Sequence, residues 1–96
     1  MNQVILTGNL TKDPEVRRTQ SGKLRASLGI AVQSGNVTEF FNPVAWEKTA
    51  EFIQKYFVKG KRIIIEGHLH TNNYTDANGA KHYGLDIIID SVEFGG

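Results

Sequence analysis

Thr38-Glu39-Phe40-Phe41-Asn42-Pro43-Val44-Ala45-Trp46-Glu47-Lys48-Thr49-Ala50-Glu51-Phe52-Ile53-Gln54-Lys55-Tyr56-Phe57 changes its hydrophobic period midway, and the fold turns on that change. Up to Trp46 the pattern has period two. Phe40, Asn42, Val44 and Trp46 share one face and Phe41, Pro43 and Ala45 the other, as in a strand. From Glu47 onward Ala50, Ile53 and Phe57 fall at helical spacing, Glu51 and Lys55 are placed for an i,i+4 pair, and Gly60 marks the stop. The spacing predicts a strand over 38–46 and a helix over 47–58. Bulky groups on both strand faces call for a second partner. Pro43 cannot donate a ladder hydrogen bond, so a bulge or local break is expected there.

Outward from this junction the chain alternates again. Upstream, Leu24, Ala26, Leu28, Ile30 and Val32 lie opposite Lys23, Arg25, Ser27 and Gln33, predicting a half-buried strand over 23–33. A first strand over 2–10 follows from the β-branched run at Val4-Ile5-Leu6, closed by Gly8 and followed by the Asp13-Pro14 turn and the basic pair Arg17-Arg18. Downstream, Ile63, Ile65, Gly67 and Leu69 face inward on a strand over 61–71, and Tyr83, Leu85, Ile87 and Ile89 on one over 81–94. Asn72 to Ala80 reads as a long hairpin loop carrying Asp76-Ala77-Asn78-Gly79. Val92 and Phe94 shift parity relative to Ile87 and Ile89, which places a bulge near Asp90-Ser91. The resulting order, β-β-β-α-β-β, is all-β. It is that of the OB-fold, a five-stranded Greek-key barrel, here with one helix between strands 3 and 4.

Ninety-six residues make a single domain over 1–96, with a modest core that association with further copies would enlarge. There is no cysteine, so neither disulfides nor a Cys-based zinc site can be built. No apolar run approaches the roughly 20 residues of a membrane span, and the N-terminus lacks a signal-peptide pattern; a soluble, cytoplasmic protein with no membrane partner is expected. The net charge of +1 is small for a nucleic-acid binder. Its distribution is uneven, with Lys12, Arg17, Arg18, Lys23 and Arg25 early and Asp86, Asp90 and Glu93 late.

An OB barrel is a scaffold, so function must come from its decoration. Single-stranded nucleic acid is held by aromatic faces under successive bases and by cations along the backbone. Phe40 and Trp46 on the third strand and Tyr74 in the hairpin are candidate stacking rings. Arg17, Arg18, Lys23 and Arg25 are the candidate backbone neutralisers, with Lys12, Lys48 and Lys81 as secondary ones. The competing reading of Trp46, at a strand-to-helix junction, is plain core, and the residues alone leave both open.

Four stretches carry a family resemblance: Val4-Ile5-Leu6-Thr7-Gly8-Asn9-Leu10 with Asp13-Pro14-Glu15-Val16-Arg17; Thr38-Glu39-Phe40; Lys59-Gly60-Lys61-Arg62-Ile63-Ile64-Ile65-Glu66-Gly67-His68-Leu69; and Tyr74-Thr75-Asp76-Ala77-Asn78-Gly79. Over nearly its full length the chain resembles the bacterial and phage single-stranded-DNA-binding family. The resemblance implies an OB-fold protein that coats single-stranded DNA without sequence specificity and protects it during replication, recombination and repair. It implies no catalysis and no cofactor. It places Phe40, Trp46 and Tyr74 at stacking positions and Arg17 beside the DNA path. It also implies a homo-oligomer, a homotetramer by the family's habit or a dimer as in the related primosomal replication protein.

The chain departs from the family in places. Gln33-Ser34-Gly35-Asn36-Val37 lacks the further ring that many members carry after the second strand, so one stacking step is expected to be missing. His70, Asn72 and Asn73 stand where relatives have Arg or Lys; each lost phosphate contact lowers the salt slope by about 0.7. These 96 residues stop at Glu93-Phe94-Gly95-Gly96, without the acidic tip by which family members recruit repair and replication enzymes, so recruitment by that route is not expected of them.

Two other readings compete. His68, His70, His82, Asp86 and Asp90 share one parity of the last two strands and could meet as a metal site, but alternating exposed polar residues give the same pattern without a metal, and none is expected. No phosphate-cradling glycine loop or nucleophile elbow is present. An OB module for RNA or for a protein of a replication assembly is the alternative binding reading.

Overall fold

Chain bends set this architecture. The computed structural model describes residues 1–96 and resolves β1 (Val4–Leu10), β2 (Glu15–Arg18), β3 (Leu24–Ser27), β4 (Ile30–Ser34), β5 (Val37–Phe41), β6 (Val44–Trp46), α1 (Glu47–Tyr56), β7 (Arg62–Thr75) and β8 (Lys81–Phe94). The expected five strands appear as eight segments: the second and third are each broken once, and β2 is added beyond the expected end of the first at Leu10. Sequence reading missed β2, because Glu15–Arg18 is too short and polar to show a period. The second breaks at Leu28-Gly29, and the third at Asn42-Pro43, where the missing proline N–H interrupts the ladder. The bends lie side by side. Thr11 N–H donates to the Gly29 carbonyl at 2.8 Å, and Leu28 N–H to the Pro43 carbonyl at 3.0 Å.

The segments form one sheet in the order β2-β3-β6-β8-β7-β1-β4-β5. All neighbours are antiparallel except β6 and β8, which pair in parallel at Val44 and Ile88. Because β3 and β4 are two halves of one bent strand, the row curls back on itself through Leu28-Gly29 and closes as an OB-type barrel. Its interior is filled by Leu10, Ala26, Leu28, Ile30, Ala45, Ile63, Ile65 and Ile89. Ala50 and Ile53 of α1, with Phe57, plug one end.

The helix ends two residues before the expected 58. Phe57 is already extended (φ −120°, ψ 136°), while its N–H still bonds the Ile53 carbonyl at 2.9 Å. At the other end Trp46 is the N-cap with no side-chain cap, and Glu47 sits at φ 54°, a conformation costly for a non-glycine residue. The Glu47 carboxylate accepts the Leu24 N–H at 2.8 Å, tying the helix start to β3.

The expected nine-residue loop shrinks to Asp76–Ala80. β7 continues to Thr75 and pairs with β8 from Lys81, so Tyr74 stands on a strand of a projecting β-arm. Register from Asn72 against Gly84 to Thr75 against Lys81 is carried by backbone pairing where hydrophobic alternation has ended. Beyond the barrel the arm has no core beneath it, so Leu69, Tyr83 and Leu85, expected inward, are 38%, 77% and 62% exposed. Glu66 faces Ser91 and Gly67 faces Ile89, which leaves Asp90 as the extra residue of a bulge where the phase shift falls. A Cβ on Gly67 would collide with the Ile88 carbonyl, so that position needs glycine.

Candidate nucleic-acid interface

Cross-strand register assembles the central row. Ala26 pairs with Ala45, and both are fully buried; their neighbours Arg25 and Trp46, also paired, must point to the opposite, outer face. Arg17 pairs with Arg25 in turn, so Arg17, Arg25 and Trp46 form a line across β2, β3 and β6. The Arg25 guanidinium carbon lies 5.8 Å from the Trp46 ring centroid, and Arg25 Nη1 donates to Ser27 Oγ at 2.8 Å. A cation resting on an indole beside a second arginine suits a base stacked near a phosphate.

Trp46 is half-buried and separates two clefts. One, of about 460 Å³, is lined by Thr19, Ser21, Lys23, Trp46 and Glu47. The other, of about 360 Å³, is lined by Trp46, His68, His70, Asn72, Asp86 and Ile88. The second runs onto the arm, where Asn72 and Tyr74 continue the parity of His68 and His70. Tyr74, 57% exposed, stacks on His82 with ring centroids 4.7 Å apart and planes 11° from parallel. The outer face thus runs from Arg17 through Trp46 to Tyr74.

Not every expected residue joins this row. Phe40 is 69% exposed, but it sits on β5, which pairs with β4 alone at the other end of the sheet order. The expected single strand carrying Phe40 and Trp46 is interrupted: the Asn42-Pro43 break separates β5 from β6, and Phe40 lines neither Trp46 cleft. Lys23 lines the first cleft, and Arg18, next to Arg17, donates to the Gly22 carbonyl at 3.0 Å. Lys12 is paired with Glu15 at 3.2 Å. Lys48 lies on α1 beside Phe52, and Lys81, opposite Thr75, falls on the arm face away from Tyr74. The cleft residues Thr19, Ser21 and Ile88 were missed by sequence reading, and Asn72 was noted only as standing where relatives carry a cation.

The histidines and aspartates considered as a metal set pair off separately. His68 Nδ1 donates to Asp90 Oδ2 at 2.9 Å, and His82 Nε2 to Asp76 Oδ2 at 2.8 Å. No three such side chains converge. The His82 bond chiefly, then the Ala80 N–H and, against opposing desolvation, the Asn78 N–H hold the Asp76 carboxyl below the usual carboxylate range. No helix is long and apolar enough to cross a membrane.

The chain is 42% identical over 104 residues to a single-stranded DNA-binding protein of Fusobacterium nucleatum, covering 99% of this chain and 67% of that one. It is 39% identical to single-stranded DNA-binding protein 1 of Staphylococcus aureus (98% and 65% covered) and 38% identical to a single-stranded DNA-binding protein of Bacillus cereus (98% and 59%). It therefore spans about three fifths to two thirds of these relatives' length. The model of the single-strand binding protein family matches residues 1–95, nearly all of the OB-type barrel and its arm, and the chain belongs to that family.

Proposed function

We propose that this chain binds single-stranded DNA without sequence preference, by stacking and backbone neutralisation alone, and so protects it during replication, recombination and repair in the cytoplasm. The observation that carries the reading is the Arg17–Arg25–Trp46 row, with the cation over the indole, opening on both sides into clefts. Bases stack on Trp46 and Tyr74, and on Phe40 where the strand passes the β4–β5 hairpin. Arg17, Arg18, Lys23 and Arg25 neutralise phosphates, with Lys12, Lys48 and Lys81 as outlying cations. No base-reading set of donors and acceptors is needed, since every base offers a π face.

Association with further copies is part of the reading. β1 pairs with β7 from Val4 to Asn9 but with β4 only at Asn9 and Leu10, with Gly8 packed against Ala31, so the other edge of Val4–Thr7 is free to take a strand. Ile5 beside it is 63% exposed. A second copy pairing there gives a dimer, and a homotetramer is two such dimers.

The test is a titration of Trp46 fluorescence with oligo-dT, a hairpin duplex of equal charge and oligo-U at two salt concentrations. Strong quenching by oligo-dT, weak quenching by duplex and a smaller response to oligo-U are expected. Equal response to duplex, or none to any, overturns the reading.

A further inference from the structure

We propose that His82 is a positioning residue for base stacking, holding the Tyr74 ring as a preformed platform at the end of the arm. Tyr74 projects where no core supports it: the arm's other face carries Leu69, Tyr83 and Leu85, all exposed. A ring in such a place ordinarily samples several rotamers, and fixing them on binding costs affinity. Here one face of Tyr74 is covered by the His82 imidazole, nearly parallel at 4.7 Å and 11°. The imidazole is itself anchored by its Nε2–H to Asp76 Oδ2 at 2.8 Å. Asp76 is anchored in turn, its Oδ1 accepting the Asn78 N–H at 2.9 Å and the Ala80 N–H at 3.0 Å. The turn geometry is thus passed through a carboxylate and an imidazole to the tyrosine, whose free face is left for a base. Tyr74 and His82 are also register partners, so the backbone ladder holds the two rings opposite each other.

The bland alternative is that two neighbouring exposed rings happen to lie together. It predicts that His82 can be removed without consequence for binding. The proposal rests on the function stated above, and the experiment separates the two. Affinity for oligo-dT is measured for wild type, Tyr74→Ala, His82→Ala, the double variant, His82→Phe and Trp46→Ala, with folding checked by amide spectra.

Tyr74→Ala should weaken binding by roughly fivefold or more, the low end of one lost stack. His82→Ala should lose a sizeable part of that, the double variant no more than Tyr74→Ala alone, and His82→Phe, which keeps a backing ring without the Asp76 bond, should recover only part of the loss. Such non-additivity is the mark of one residue acting through another. Wild-type affinity in His82→Ala, or fully additive losses in the double variant, overturns the proposal. A silent Tyr74→Ala overturns it too, yet leaves the function standing if Trp46→Ala still weakens binding; silence at both rings removes the function as well.

Discussion

Trp46 is where the chemistry of a single side chain decides most. Its ring lies on the outer face because the preceding residue on the strand, Ala45, lies on the inner one, so truncation should spare the barrel. Trp46→Ala is expected to lose roughly 1–3 kcal/mol of affinity for mixed-sequence oligonucleotides while the thermal transition stays nearly unchanged. An unfolded variant would return Trp46 to the core. Arg25→Gln should weaken binding and lower the slope of log affinity against log salt by about 0.7, because one phosphate contact goes; an unchanged slope would mean that Arg25 serves the ring and not the backbone. At Asp76 the sign follows from a depressed carboxyl. Its ordering of the turn is present above the usual carboxylate range and is lost as pH falls through the lower folded value. The Asn78 and Ala80 amide resonances should therefore move in step with Asp76 in an NMR titration, and His82→Ala should shift that titration to higher pH. None of this depended on residue type alone. Sequence named Trp46 and Arg25 as candidates, but whether the indole was core or surface hung on a register that only the folded sheet displays.

At the level of elements, the period change at Glu47 was readable because Ala50, Ile53 and Phe57 all have to reach one barrel end. Ile53 is fully buried there, and Ile53→Ala should cost about 2–5 kcal/mol in a denaturant melt; a loss under 1 kcal/mol would mean that the helix is not a plug. The strands were legible wherever one face is buried. They became illegible where pairing outlasts burial: Asn72 to Thr75 carry no alternation, yet backbone hydrogen bonds keep them in the ladder, turning an expected loop into an arm. The bends were half legible. Pro43 announced its break, whereas the break at Leu28-Gly29 hides inside an unbroken apolar alternation.

For the whole molecule, a net charge of +1 hides a local concentration of cations, because Arg17, Arg18, Lys23 and Arg25 lie together on β2, β3 and the turn between them. The open edge of β1 carries the expectation of assembly. Sedimentation should show a multiple of the 10.7 kDa chain mass, and Ile5→Asp, which puts charge beside that edge without touching the core, should shift it toward the monomer. A monomeric wild type at micromolar concentration would remove the oligomer from the proposal.

The closed order of the barrel also governs when it can form during synthesis. β1 needs β7 as its partner along nearly its whole length, and β6 needs β8 to close the seam, yet β7 and β8 leave the ribosome after every other element of the barrel. Until they emerge, the nascent chain holds only short hairpins whose apolar faces have nothing to close against. The barrel can therefore close only once β8 has emerged, and the half-made barrel is the stage at which these residues are most exposed to aggregation.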